Sequence, residues 1–196
     1  MPNDKSRIRE RLAYRAARIM AQDGIDNFGF AKRKAARLEG IPDTRHLPAN
    51  EEIERELKIQ RELYQRDEHR EILRELRKEA LTAMRLLKPF NPWLIGPIVT
   101  GTAGKHSEIR LQLFADSAKE VEIFLINQNV RYQAEEVKVN VGDEWQMRPR
   151  LKFSLNDTPI TATILLPHES RQVFRTESKG LQRVPLEWLE AELKET

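Results

Sequence analysis

The chain has 196 residues, of which 39% are hydrophobic and 33% charged, and its formal net charge is +3. That length holds one domain or two small ones with a sizeable core, and no apolar run reaches the roughly 18 residues a bilayer span needs. Cysteine is absent, which excludes disulfides, thiolate metal sites and a thiol nucleophile. The N-terminus, MPNDKSRIRERLAYR, has no apolar core ahead of a cleavage site, so a cytoplasmic location without a membrane partner is expected.

Charge divides the chain unevenly. Residues 1–90 hold 21 basic and 16 acidic groups, a net of +5, and residues 91–196 hold 13 and 15, a net of −2. The first part reads as a basic, charged helical domain. Ile8, Leu12, Ala16 and Ile19 make an apolar face on a helix over about 5–22, which Asp23-Gly24 ends. Arg7, Arg11, Arg15 and Arg18 form a second stripe at the same period, a pattern that can track a phosphate backbone. The spacing predicts a second helix over Phe28–Leu38, with Phe28, Ala31, Ala35 and Leu38 inward, Lys32, Arg33 and Lys34 crowding it, and Gly40 and Pro42 stopping it. After the loop DTRHLPA, Asn50 reads as the N-cap of a third helix with Ile53, Leu57 and Tyr64 inward. Arg66-Asp67 marks a break, and a fourth helix runs to Leu87, with Ile72, Leu73, Leu76, Ala80, Met84 and Leu87 inward. Pro89 and Pro92 close this domain.

Residues 91–196 read as an α/β domain. Trp93–Val99 is a short buried strand or a tightly packed turn, and Ile109, Leu111 and Leu113 alternate as a half-buried strand. Asp116 reads as the cap of a helix over Ala118–Asn127 with Val121, Phe124 and Leu125 inward. Val137, Val139 and Val141 alternate ahead of Gly142-Asp143. Leu151, Phe153 and Leu155 alternate too, and Ile160, Ala162, Ile164 and Leu166 follow the turn at Asn156–Pro159 as a hairpin partner. Pro185 starts a last helix that ends near Lys194. The order makes the fold class α+β, with a mixed or antiparallel sheet and flanking helices.

Between the two parts lies LIGPIVTGTAGKHSEIRLQLF, residues 94–114, with three of the eight glycines. Thr100-Gly101-Thr102-Ala103-Gly104-Lys105 resembles the ATP-binding loop of the Mur ligases. In such loops backbone N–H groups cradle phosphate and the lysine reaches the outer phosphates. His106 stands where that family has a magnesium-binding Thr or Ser, and a strand-like pattern follows where the family has a helix. Gly96-Pro97 and Ser107-Glu108-Ile109-Arg110 together resemble the nucleotidyltransferase superfamily of polymerase-beta-like fold. That family has a Gly-Ser pair, a turn, and then Ser-Asp-hydrophobic-Asp/Glu on a strand. The resemblance spans about Trp93–Leu166, and the chain is also similar to a group of uncharacterised proteobacterial proteins.

The nucleotidyltransferase resemblance implies a magnesium site made by two carboxylates on one strand and a third on a later strand. Here Glu108 holds the first position, Arg110 the second, and the third falls near Thr161, where no acid occurs. Pro97 replaces the serine that approaches triphosphate. A degenerate, pseudoenzyme-like domain is therefore expected, one that binds nucleotide, another phosphate-bearing ligand or RNA without two-metal transfer. Gly96, Gly101, Thr102, Gly104, Lys105, Ser107 and Arg110 are the candidate phosphate contacts, and Arg7, Arg11, Arg15, Arg18, Lys32, Arg33 and Lys34 the nucleic-acid contacts. The alternative enzyme reading keeps nucleotidyl transfer with Glu108, unrecognised acids, nucleoside triphosphate and Mg²⁺. A third reading makes the charged helices a protein-interaction module and the glycine loop a turn. No residues stand at metal-ligand spacing, and His46 and His69 read as surface residues.

Overall fold

A computed structural model describes residues 4–23, 25, 27–41, 46–64, 66–141, 144–172 and 182–195. The expected stops at Gly24 and Pro42, the start of the DTRHLPA loop, the turn at Gly142-Asp143 and the orientation of Tyr64 lie outside them. Among the described residues there are seven α-helices and one six-stranded mixed sheet. No helix there is long and apolar enough to cross a membrane. Two compact units divide the chain: Met1–Leu73 with Gly101–Ser107, and Arg74–Thr100 with Glu108–Thr196.

The first unit holds α1 (Asp4–Asp23), α2 (Phe28–Leu38), α3 (Asn50–Tyr64) and the start of α4 (Arg66–Leu86). Its core follows the sequence periodicity. Leu12, Ala16 and Ile19 of α1 pack with Ala31, Ala35 and Ala36 of α2 and Ile53 and Leu57 of α3. Ala13 and Ala17 are buried in α1 as well, and alanine at these α1 and α2 positions lets the helices approach closely, because small side chains bring the axes together. Leu38 departs from expectation: it is 53% exposed, and Ala36 takes the inward place beside Ala35. The α2 start is capped by Asn27, whose side chain accepts from the Phe30 N–H at 2.9 Å. Asn50 is the first helical residue of α3 rather than its cap. The Glu52 carboxylate reaches back to the Ala49 N–H at 2.6 Å and accepts from Arg9 at 2.7 Å. Burial opposes ionisation of Glu52, but these two hydrogen bonds outweigh it and hold its pKa below the usual value. Arg66 and Asp67, the expected break, are the first two residues of α4.

The second unit holds the rest of α4, then β1 (Trp93–Ile95), α5 (Pro97–Thr100), β2 (Ile109–Phe114), α6 (Ala118–Asn127), β3 (Tyr132–Val141), β4 (Glu144–Leu155), β5 (Thr158–Leu165), β6 (Arg183–Pro185) and α7 (Leu186–Glu195). The strand order is β3-β4-β5-β2-β1-β6. Only β2 and β5 run parallel; every other neighbouring pair is antiparallel. The expected buried stretch at 93–99 is both a strand and a turn: β1 ends at Ile95, Gly96 takes a left-handed φ of 81°, and a single helical turn follows. Ser117, not Asp116, caps α6. Asn156 and Asp157 both have positive φ, 48° and 64°, which makes the two-residue β4–β5 hairpin turn. Leu166 lies past the end of β5 and is exposed. The later part of α4 is tied to α7 by Arg77–Glu192 at 2.8 Å and Arg85–Glu190 at 2.7 Å. These pairs, with buried Leu76, Ala80 and Met84, explain why residues 74–90 group with the sheet.

Candidate functional site

The structure separates the residues that the sequence brings together at 94–110. Gly101, Thr102, Gly104, Lys105 and Ser107 belong to the first unit, and Gly96, Glu108 and Arg110 to the second. In the first unit the glycine-rich loop closes on Arg61 of α3, which is only 4% exposed. Arg61 Nη1 donates to the carbonyl of Thr102 and, at 2.7 Å, to that of Ala103. Gly101 turns the chain with φ of 75°. At Gly104 a Cβ would stand 2.9 Å from Arg61 Nη2, so a side chain there would make the guanidinium shift. His69 Nε2 lies 3.0 Å from the Gly101 carbonyl.

This arrangement differs from a phosphate cradle. A phosphate cradle turns N–H groups inward, whereas here the carbonyls turn inward to a cation. The Gly104 N–H and the Ser107 hydroxyl, both expected to face phosphate, are engaged with each other at 2.8 Å, and the Ser107 N–H donates to the Gly104 carbonyl at 2.9 Å. Thr102 and Ser107 are buried. No helix follows Lys105; a turn at 105–106 leads to β2. Lys105 itself is exposed.

In the second unit, Glu108 precedes β2 and Arg110 lies in it, two residues apart and so on one face. Arg110 Nε donates to Glu108 Oε1 at 2.8 Å, the pairing the period-2 pattern predicts. Gly96 permits the aliphatic stem of Arg110 to lie close, since a Cβ there would meet Arg110 Cδ at 3.3 Å. Arg110 stands opposite Thr161 in the parallel β2–β5 pair, Thr161 opposite Lys152, and Lys152 opposite Gln133. One polar row thus crosses four strands. At its end is a cleft of about 700 Å³ that includes Glu108, Arg131, Gln133, Lys152, Ser154 and Thr161. Lys152 is paired with Glu135 at 2.6 Å yet remains 46% exposed, and Arg131 is exposed. Burial lowers the pKa of neighbouring Arg150, against the opposing pull of Glu135 and Glu108.

Arg131, Gln133 and Lys152 escape a sequence reading. The alternation of β4 does set Lys152 on the polar face, between Leu151 and Phe153. Only the register of β4 on β5 puts it beside Thr161.

The helical stripe is partly neutralised within its own unit. Arg11 and Arg15 both reach Glu39, at 3.0 and 3.7 Å, and Lys34 pairs with Asp23 at 2.6 Å. Arg7, Arg18 and Arg33 are exposed. A small pocket of about 210 Å³ in this unit is bordered by Asp23, Arg61, Glu68, His69, Lys105 and His106. Its mixed charges select no ligand.

Comparison with protein-family profiles, curated proteins and solved structures finds no match to this chain. The donor set of the cleft does not fit a magnesium ion. Glu108 is the one carboxylate among its lining residues, and Arg110 already holds it. Among the described residues no group of three His, Asp or Glu side chains converges elsewhere to hold a metal.

Proposed function

We propose that the second unit is a binding domain of nucleotidyltransferase-like arrangement whose cleft takes a phosphate-bearing ligand, a nucleotide foremost, without transferring a nucleotidyl group. The register Arg110–Thr161 carries this reading. It aligns the two positions where the resembling family holds its second and third acids, on adjacent parallel strands. Here one is a cation and the other a hydroxyl. A strand pair built for a divalent ion thereby becomes one that repels it and favours an anion. The cleft beside this pair is lined by Thr161 and by two cations, Arg131 and Lys152, and its volume lies in the range of small-molecule sites.

The test is thermal unfolding with ATP, GTP, CTP and UTP, each with and without Mg²⁺. A ligand that binds the folded state alone raises stability by about 2.7 kcal/mol at a hundredfold excess over Kd. The expected result is stabilisation by at least one nucleotide that does not need Mg²⁺. It should be lost in Arg131→Ala/Lys152→Ala and strengthened in Glu108→Gln, which removes the one acid. No stabilisation by any nucleotide refutes binding, and stabilisation that requires Mg²⁺ transfers the case to the enzyme reading.

A further inference from the structure

Among the described residues, the sheet of the second unit has an edge strand that pairs on one side only. β3 is the terminal strand, bonded to β4 on one side. It has ten residues, YQAEEVKVNV, with neither proline nor glycine to interrupt pairing. Gln133, Ala134, Glu136 and Lys138 are exposed. A long, regular edge of this kind presents a row of backbone donors and acceptors to another strand.

The charges on β3 indicate which strand. Glu136 stands opposite Pro149 within the chain, so no cation of β4 faces it. Lys138 stands opposite Met147, and its ammonium lies over the Trp145 ring, 5.8 Å from the centroid. A second copy of β3 added antiparallel about a two-fold axis normal to the sheet keeps the faces aligned, so residues of like parity pair. Centred on Val137, this sets Glu136 opposite Lys138 of the second copy, and Lys138 opposite its Glu136. Centring on Glu135, Glu136 or Lys138 instead sets like charges directly opposite, which destabilises the pair. Trp145 and Met147, 55% and 52% exposed on β4, flank the seam on the same face. They add apolar surface beside it.

We infer that the protein forms a homodimer through β3, paired antiparallel about Val137 and fixed in register by two Glu136–Lys138 ion pairs. The interface is isologous, the commonest kind in soluble oligomers.

Charge exchange tests this by sedimentation velocity on the full chain. The parent should sediment as a dimer. Glu136→Lys and Lys138→Glu should each sediment as monomers at the same concentration, because each sets like charges opposite in both pairs. The double variant Glu136→Lys/Lys138→Glu should recover the dimer, because its charges are again complementary. Far-UV circular dichroism identical to the parent in all three variants separates loss of pairing from loss of fold. If a single variant is misfolded, the parent and the double variant still decide. A monomeric parent overturns the proposal, as does a dimer that persists in a folded single variant or one that the folded double variant fails to recover.

Discussion

Each unit shelters a guanidinium, buried for Arg61 and half-buried for Arg148, and each satisfies it in a different way. In the helical unit Arg61 is gripped by backbone carbonyls of the loop at 102–103. In the sheet unit Arg148 of β4 is held by a carboxylate. Its side chain is 17% exposed and that of Glu169 only 3%. Arg148 Nε donates to Glu169 Oε2 at 3.3 Å, its Nη2 donates to the other carboxylate oxygen, and Glu169 also accepts from the Leu166 N–H at 2.7 Å. The difference matters because a carbonyl is a dipole and a carboxylate is a charge. A carbonyl clasp depends on loop shape. An ion pair tolerates more variation in shape but depends on ionisation.

The largest expected effect breaks the ion pair. Glu169→Ala leaves the half-buried Arg148 without its counter-charge and should destabilise the sheet unit by roughly 3 kcal/mol. All three tryptophans, Trp93, Trp145 and Trp188, lie in this unit, so tryptophan fluorescence in a urea titration reads it alone. Replacing both partners with Arg148→Met/Glu169→Leu should recover most of the loss, since apolar isosteres need no pairing. A double variant as unstable as the single would show that the pair acts through more than mutual neutralisation.

A smaller effect is expected on the other side of the comparison. Arg61→Met keeps the stem but leaves the Thr102 and Ala103 carbonyls without this donor, and should cost about 2 kcal/mol. The helical transition in far-UV circular dichroism should move, with a lesser change in the tryptophan signal. Gly104→Ala should act in the same direction, because its Cβ meets the guanidinium. Insensitivity of both variants would mean that the loop does not depend on the clasp.

The smallest effect reads the ion pair by pH. Burial raises the Glu169 pKa, but hydrogen bonds from Arg148 and the Leu166 N–H outweigh it and hold the carboxyl below its usual range. Its contribution is therefore complete above the unfolded value of about 4.3 and is lost as pH falls through the lower folded value. The gap in urea midpoint between the parent and Glu169→Gln should narrow from about pH 6 to about pH 3. A gap of constant size across that range would mean that Glu169 does not act through its charge.

Legibility followed the range of the interaction. The bounds of α2 and α6 were readable residue for residue, because apolar spacing and local stops act within a few positions. The Glu108–Arg110 pair was readable too, because two residues on one strand share a face whatever surrounds them. Leu38 misled for the converse reason: periodicity names a face, and the width of the buried stripe depends on what packs there.

The chain by itself determined which residues are apolar, where helices and strands form, and that Glu108, Arg110 and Thr161 are an acid, a cation and a hydroxyl. Tertiary structure decided what those residues do. It set Arg110 beside Thr161 through strand register, and turned the loop carbonyls rather than its amides inward, onto Arg61. Both outcomes depend on partners more than 40 residues away. Local sequence constrains backbone dihedrals and side-chain polarity. The direction in which a loop presents its dipoles is chosen by the charge that folding brings against it.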